Sequence, residues 1–275
     1  MKRPELLLPA GTLKSMRYAF AYGADAVYAG QPRYSLRVRN NEFHILDNVI
    51  AAIGEAHEMG KKFLIASNVL PHNNKVKSYI RDLEPVIEAK PDALIMADPG
   101  LIMMVKDKWP DTEIHLSVQA NTVNYAAVRF WQSMGISRVI LSRELSLEEI
   151  TEIRQACPDI ELETFVHGAL CMAYSGRCLL SGYINHRDAN QGACTNACRW
   201  KYQLHEAKED DWGNVDPVQQ TADIQEKSFL LQEASRPDQL TPIYQDESGT
   251  YIMNSKDLRA IQHVKRLMDI GIDCI

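Results

Sequence analysis

Short apolar runs alternate with amphipathic stretches along most of this 275-residue chain. The runs have the length and residue types of buried strands, and the stretches between them carry apolar residues at helical spacing. The predicted strands are Glu5–Leu8, Ala26–Ala29, Phe63–Ser67, Ala93–Ala97, Ile114–Val118, Val139–Ser142 and Glu161–Val166. The predicted helices include Asp47–Met59, Val76–Ala89, Val123–Met134, Leu147–Ala156 and Lys256–Ile270. Strands that alternate with helices indicate a parallel sheet covered by helices.

A weak internal repeat supports the same architecture. Each copy has a turn residue, then a polar residue, then a buried strand. The copies are Tyr22–Ala29, Lys90–Ala97, Met134–Leu141 and Ile270–Ile275. Because Ile272–Ile275 begins an eighth strand, we predict an α/β fold of the TIM-like (β/α)8 barrel type. A doubly wound open sheet is the alternative.

The predicted strands also define the domain organisation. Residues 1–275 form a single barrel domain in this interpretation, truncated near the eighth strand because the sequence ends inside it. Residues 168–250 are far too long for an ordinary loop between a strand and its helix. We predict an insertion at 168–250, after strand 7 and on the face where barrel enzymes carry their active sites.

Composition limits the function classes. The formal net charge of −6 excludes a strongly basic nucleic-acid binder, so any RNA contact needs a local basic patch. The sequence has no run of about 18 apolar residues, and the N-terminal apolar run is too short for a signal peptide. We therefore expect a cytoplasmic protein without a membrane partner, in which clustered cysteines bind metal more often than they form disulfides.

Four cysteines lie within 28 residues in the spacing C-x6-C-x15-C-x3-C. They are Cys171, Cys178, Cys194 and Cys198. Four thiolates at such separations can hold one metal centre, and the spacing differs from the C-x2-C pairs of common zinc sites. The spacing favours an iron–sulfur cluster, while structural zinc and a disulfide-linked loop stay open as alternatives.

Polar residues at the predicted strand ends should meet at one mouth of the barrel, where functional groups of this fold are found. They include Asn68, Asp98, Gln119, Asn121, Arg143, Glu144, Glu163 and His167. Glu163 and His167 are the candidate catalytic residues. An imidazole at a strand end can act as acid or base, although a structural role is equally compatible. An inward-facing Glu163 needs a partner such as an arginine.

Arginines in the rim loops suggest an anionic ligand, because guanidinium groups bind carboxylates and phosphates through two hydrogen bonds. The candidate substrate-binding residues are Arg33, Arg143 and Arg177. A small carboxylate and an RNA backbone both fit this chemistry. The hydrolase motifs G-x-S-x-G and H-E-x-x-H are absent from the sequence, which disfavours peptidase chemistry.

Several longer motifs resemble those of a known family. The run Glu163–Ser181 resembles the hallmark segment of the collagenase-like peptidase family, peptidase family U32. Further similar segments are Glu5–Gly11, Ala24–Gly30, Cys194–Lys201 and Met253–Leu258, so the resemblance spans nearly the whole chain. Members of this family continue past the barrel into a further helix and a C-terminal domain, which the resemblance implies are missing here.

The resemblance is strongest to members that hydroxylate RNA. It implies oxygen-independent formation of 5-hydroxyuridine at the wobble position of tRNA, with prephenate as cosubstrate and with help from the iron–sulfur assembly machinery. It also implies a [4Fe–4S] cluster held by Cys171, Cys178, Cys194 and Cys198. Prephenate has two carboxylates, so the rim arginines would clamp it. A collagenase-like peptidase and a zinc-stapled RNA-binding module are the alternatives.

Overall fold

The computed structural model describes residues 3–36, 41–169, 171, 173–199, 207–209, 215–217, 227–233, 236–246, 249–251 and 257–275. The chain divides into two compact units. The first contains Met1–Thr195 and Asp257–Ile275, and the second contains Asn196–Lys256. Within the described ranges, no helix is long and apolar enough to cross a membrane.

Seven parallel strands in consecutive order form the sheet of the first unit. They are β1 (Leu7–Pro9), β2 (Ala26–Gly30), β3 (Lys62–Ser67), β4 (Ala93–Met96), β5 (Ile114–Leu116), β6 (Arg138–Ile140) and β7 (Glu161–Glu163). Cys274 forms parallel bridges with both Glu5 and Glu163. Leu7 N donates to Ile275 O at 2.9 Å, and Thr164 N donates to Cys274 O at 3.1 Å. The residues of the predicted eighth strand therefore join the two edges of the sheet, and the TIM-like α/β fold is confirmed.

Helices follow the strands in turn. The first six are α1 (Leu13–Ala21), α2 (Leu46–Glu58), α3 (Asn73–Glu88), α4 (Pro99–Lys108), α5 (Tyr125–Ser133) and α6 (Leu147–Ala156). After β7 come β8 (His167–Ala169), α7 (Leu180–Asn185), β9 (Ala207–Glu209), β10 (Val215–Pro217), β11 (Lys227–Glu233), β12 (Arg236–Asp246), β13 (Gly249–Tyr251), β14 (Asp257–Arg259) and α8 (Val264–Ile270).

One predicted helix was wrong in its first half. The sequence pattern predicts a helix over Lys256–Ile270, but Asp257–Arg259 forms a strand that pairs antiparallel with His167–Ala169. Only Val264–Ile270 is α-helical. The backbone groups of 257–259 bond to the strand beside them instead of to a helical turn, so a non-local pairing overrides the local apolar spacing.

Capping side chains fix where the helices begin. Asp98 Oδ1 accepts from Leu101 N at 2.9 Å at the start of α4, and Asn124 Oδ1 accepts from Ala127 N at 2.9 Å at the start of α5. Ser146 and Glu149 form a reciprocal capping box at the start of α6. Each cap satisfies amide groups that lack a helical partner. The helices therefore start directly after the loops that line the barrel mouth.

The barrel unit has two apolar cores. The larger lies between the sheet and the helices and includes Phe63, Ile65 and Leu101. The smaller lies inside the barrel, where Leu64, Ala66, Ile95 and Ile140 pack together. Successive side chains of a strand point to opposite faces of the sheet, so alternate strand residues pack in one core or the other. The filled interior places the open space of the barrel at its ends.

In its described residues, the second unit contains two small antiparallel sheets. The strands β9 and β10 pair with each other, while β12 pairs with both β11 and β13. The predicted insertion at 168–250 covers most of this unit, but residues 200–206, 210–214 and 218–226 lie outside the described residues. The boundaries of the insertion, and the single-domain organisation of 1–275, stay predictions.

Candidate active site at the barrel mouth

A network of charged side chains surrounds the buried Arg138 at one end of the barrel. Arg138, the first residue of β6, is 3% exposed. Its guanidinium group lies 2.8 Å from Glu5 Oε1, 2.6 Å from Glu161 Oε2 and 3.5 Å from Glu163 Oε2. Lys62 Nζ reaches the other oxygen of Glu5 at 2.6 Å. The arginine partner that the sequence requires for Glu163 is therefore Arg138.

Glu163 is the member of this network that also reaches the mouth. It is 6% exposed and lines two neighbouring cavities. Burial raises the pKa of Glu163 to about 7, although Arg138 opposes the shift. A carboxyl group with such a pKa can give or take a proton near neutral pH. The position and the pKa of Glu163 fit its predicted catalytic role, which stays a prediction.

The raised pKa of Glu163 predicts a specific pH dependence of stability. Between pH 4.5 and about 7, Glu163 keeps a proton in the folded protein that it releases in the unfolded chain. The contribution of Glu163 to the free energy of unfolding therefore falls as pH rises through this range. We expect the Glu163→Gln variant to gain up to about 3 kcal/mol relative to wild type across that window. Guanidinium unfolding at several pH values measures the difference. Glu88→Gln, which replaces an exposed carboxylate, is the control. If the free energies of unfolding of wild type and Glu163→Gln differ by the same amount at every pH, the prediction is contradicted.

Two cavities at the mouth share Arg143. The larger, of about 390 Å3, is bounded mainly by apolar groups around Arg143, Glu163 and His167. The smaller, of about 170 Å3, is lined by Asn68, Ser117 and Gln119 as well as Arg143. The Arg143 guanidinium lies over the Phe165 ring, 5.1 Å from its centroid, which holds the cation at the junction of the cavities. An anionic ligand entering the larger cavity would meet Arg143.

The three predicted substrate-binding arginines occupy different places. Arg143 lines both cavities, and Arg177 Nε donates to the backbone oxygen of Gln119 at 3.0 Å, also at the mouth. Arg33 instead pairs with Asp82 on α3, with its Nη1 2.7 Å from Asp82 Oδ2. The structure therefore brings Arg143 and Arg177 to the mouth and turns Arg33 toward a helix. Their binding role stays a prediction.

A loop that follows Cys171 is held against the mouth. Ser175 N donates to Glu144 Oε1 at 2.6 Å, and Ser175 Oγ donates to Glu144 Oε2 at 2.7 Å. Burial opposes ionisation of Glu144, but the hydrogen bonds from Ser175 outweigh it and lower the pKa of Glu144 below its usual value. Asn121 Nδ2 also donates to Tyr174 O at 3.1 Å. These contacts fix the loop between Cys171 and Cys178 to the ends of the barrel strands.

Gly176 lies at the tip of this loop, and replacing it tests how closely the loop packs against Gln119. Its φ is +84°, and an added Cβ would lie 2.8 Å from Gln119 Nε2. We expect Gly176→Ala to lower the free energy of unfolding by about 1–2 kcal/mol through backbone strain, plus a smaller cost of moving the Gln119 side-chain amide. Gly60→Ala is the matched control, because Gly60 has φ +65° with no atom within 4 Å of its Cβ position. Equal decreases in the free energy of unfolding of Gly176→Ala and Gly60→Ala, measured by chemical denaturation, would refute the close packing of this loop against Gln119.

The two cysteine-bearing segments are tied to each other within the barrel unit. Cys178 N donates to Asn190 Oδ1 at 3.3 Å, and Asn190 Nδ2 returns a bond to Cys178 O at 3.2 Å. Thr195 N donates to Ser181 Oγ at 3.0 Å. The segment that carries Cys178 and the segment that ends at Cys194 are therefore neighbours. Cys198 belongs to the second unit.

The thiols fit a soft metal or an iron–sulfur cluster in their chemistry. Cys157 and Cys274 are buried, whereas the four clustered cysteines are partly or fully exposed. Cysteine thiolates are the ligands that such centres use. Among the residues that the structure describes, no group of three or more His, Cys, Asp or Glu side chains is arranged around a common metal position. The ligand set of Cys171, Cys178, Cys194 and Cys198 thus stays a prediction.

His167 lies in β8, with an exposed side chain, and lines the larger cavity. Its catalytic role is likewise untested by the geometry. Sequence reasoning missed Arg138, whose signal was a single charge in the apolar run Arg138–Leu141. It also left Asn68 and Gln119 without roles, since an amide at a strand end carries no chemical motif of its own.

Comparison with known proteins defines the family. The model of peptidase family U32 matches residues 11–275. The chain belongs to peptidase family U32. Its U32 relatives include the tRNA hydroxylation protein P of Escherichia coli, 63% identical over 99% of this chain and 62% of that protein. The tRNA hydroxylation protein P of Haemophilus influenzae is 62% identical over 98% of this chain and 62% of that protein.

More distant relatives show the breadth of the family. The 23S rRNA 5-hydroxycytidine C2501 synthase of Escherichia coli is 36% identical over 78% of this chain and 31% of that protein. The solved structure of the U32 peptidase Mk0906 matches with a TM-score of 0.52 at 15% identity, over 60% of this chain and 70% of that one. This structural likeness supports the fold. The chain spans 62% of the length of the two tRNA hydroxylation proteins.

Proposed function

We propose that the protein hydroxylates RNA and forms 5-hydroxyuridine at the wobble position of tRNA. The observation that carries the proposal is 63% identity, over 99% of this chain, to the tRNA hydroxylation protein P of Escherichia coli. The 36% identity to an rRNA hydroxycytidine synthase supports hydroxylation of a pyrimidine in RNA more generally. The barrel mouth is where an enzyme of this fold would carry out the reaction.

In this proposal the reaction uses no molecular oxygen and takes prephenate as cosubstrate. The larger cavity suits such a molecule, since its apolar walls would face a carbon ring while Arg143 bonds a carboxylate. The second carboxylate would need Arg177, which lies at the mouth with its Nε bonded to Gln119 O but outside the lining of the larger cavity. Glu163 would hold or release a proton beside the cavity, which His167 also lines.

We further propose that Cys171, Cys178, Cys194 and Cys198 hold a [4Fe–4S] cluster, loaded by the iron–sulfur assembly machinery. Such a cluster would supply electron transfer when bound. The hydrogen bonds from Ser175 to Glu144 would keep the loop between Cys171 and Cys178 beside the barrel mouth. Structural zinc is the alternative, and metal analysis separates the two: colourless protein with stoichiometric zinc would refute the iron–sulfur proposal.

The family name makes a peptidase the second candidate, but the serine contacts disfavour it. In the described part of the chain, Ser175 Oγ is bonded to Glu144 and Ser142, and Ser181 Oγ to Thr195. Neither hydroxyl is bonded to a histidine that could activate it. Peptide cleavage that survives both chelation and replacement of the clustered cysteines would favour the peptidase.

Nucleoside analysis of tRNA tests the proposed function. Cells that lack the gene are expected to lose 5-hydroxyuridine and its derivatives, and a plasmid copy of the gene is expected to restore them. Unchanged levels of these nucleosides under every oxygen-limited condition would refute the tRNA role.

A further inference from the structure

Gln119 lines the smaller mouth cavity and carries a buried acceptor without a partner among the described residues. It lies in the short 3-10 helix Val118–Ala120 that follows β5, and it is 4% exposed. Its Oε1 atom has no hydrogen-bond partner among the described residues. Because a buried carbonyl without a partner is costly, an acceptor that borders a cavity is suited to a ligand that brings a donor.

Asn68 contributes a donor to the lining of the same cavity. Its Oδ1 atom accepts from Leu36 N at 3.2 Å, which orients the amide so that Nδ2 points toward Ser117 Oγ at 3.4 Å. Gln119 N lies at the same 3.4 Å from Ser117 Oγ. Ser117 Oγ thus lies between the Asn68 side-chain amide and the Gln119 backbone amide, and its contact with Asn68 Nδ2 is long enough to give way to a ligand.

The rest of the cavity suits one small flat ring. Tyr28 and Phe165 contribute aromatic walls, and Ile95 and Ile140 contribute apolar ones. The volume of about 170 Å3 is well below the roughly 300–1,000 Å3 of sites for drug-sized ligands. Enzymes that modify a base draw it out of the stack and hold it between aromatic or apolar side chains, with hydrogen bonds to its Watson–Crick edge.

We propose that this cavity binds the target uracil, with Gln119 Oε1 accepting from the base N3–H and Asn68 Nδ2 donating to an adjacent carbonyl. The inference rests on the proposed function and names the residues that recognise its substrate. Uracil carries a donor at N3 with a carbonyl on either side, whereas cytosine carries an acceptor at N3. The donor and acceptor at the two amides match uracil, so Gln119 is assigned as a specificity-determining residue.

Binding to short RNAs tests the assignment. Anticodon stem-loops with uridine, N3-methyluridine or cytidine at the wobble position are titrated with the protein, and fluorescence anisotropy gives each Kd. Wild type is expected to bind the uridine RNA about 10-fold more tightly than the other two, the effect of one well-placed hydrogen bond. Gln119→Ala and Gln119→Met are expected to bind all three RNAs equally. Gln119→Met keeps the side-chain volume, so this variant is expected to fold even if Gln119→Ala does not.

The controls separate this inference from the proposed function. Gln155→Ala, on the exposed face of α6, should keep the 10-fold preference. Equal binding of the three RNAs by wild type, or a preference that survives Gln119→Met, would overturn the assignment. If cells still depend on the gene for 5-hydroxyuridine in that case, the function stands and only the recognition by Gln119 fails. If wild type binds none of the RNAs and the nucleoside persists without the gene, both fail.

Discussion

Replacing Arg138 with methionine is expected to lower the free energy of unfolding by about 3–5 kcal/mol. Arg138 is the common partner of three carboxylates inside the barrel, at 2.8 Å from Glu5, 2.6 Å from Glu161 and 3.5 Å from Glu163. Without the guanidinium group, Glu163 loses its cationic partner and Glu5 keeps Lys62 alone, while the Glu161 side chain stays 45% exposed to solvent. Guanidinium denaturation monitored by circular dichroism measures the loss, and failure to fold at all would agree with it.

Two further variants show whether the interior network is responsible. Arg138→Lys keeps the charge but cannot bond several carboxylates through a planar fork, so an intermediate loss is expected. Arg266→Met breaks the ion pair with Glu148, whose side chains are 52% and 69% exposed, and should cost less than about 1 kcal/mol. If Arg138→Met lowers the free energy of unfolding by no more than Arg266→Met does, the stabilising role of the Arg138 network is contradicted.

Replacing Cys178 with alanine is expected to remove both the cluster and the activity. Under the proposed ligand set, three thiolates remain, and iron and acid-labile sulfide in anaerobically purified protein should fall to background. The bonds between Cys178 and Asn190 involve backbone atoms of Cys178, so the change leaves the loop contacts in place. The variant should therefore be folded and colourless, and cells that carry it should form no 5-hydroxyuridine.

Cys157→Ala is the matched control for this experiment. Cys157 is a buried free cysteine at the end of α6, outside the clustered set. It should retain iron, sulfide and visible absorption at wild-type levels. Unchanged iron and sulfide in Cys178→Ala would exclude Cys178 as a ligand.

The barrel could be predicted from the sequence because its strands and helices carry local signals. The apolar runs fed two cores, and even the eighth strand was visible in Ile272–Ile275, which bridges the sheet edges through Cys274. The pairing of Asp257–Arg259 with His167–Ala169 could not be predicted. It joins segments 90 residues apart in the chain, and no local pattern encodes such a contact.

The candidate site was predictable in location but less so in detail. Strand-end residues did meet at the mouth, yet Asp98 serves there as a helix cap, while Arg143 and Gln119 border the cavities. Both roles are chemically reasonable for their side chains, so residue type alone does not separate them. The buried partner of Glu163 was predicted as an arginine, but only the register of β6 with β7 identifies it as Arg138.

The measurement that tests the central claim most directly is the 5-hydroxyuridine content of tRNA from oxygen-limited cultures of a deletion strain that is complemented with a plasmid copy of the gene. The wild-type gene and Arg81→Ala, which alters an exposed arginine on α3, should restore the nucleoside. Arg143→Ala, which removes the cation shared by both mouth cavities, should leave it at the level of the deletion strain. Full restoration by Arg143→Ala, or persistence of the nucleoside without the gene, would contradict RNA hydroxylation at the barrel mouth.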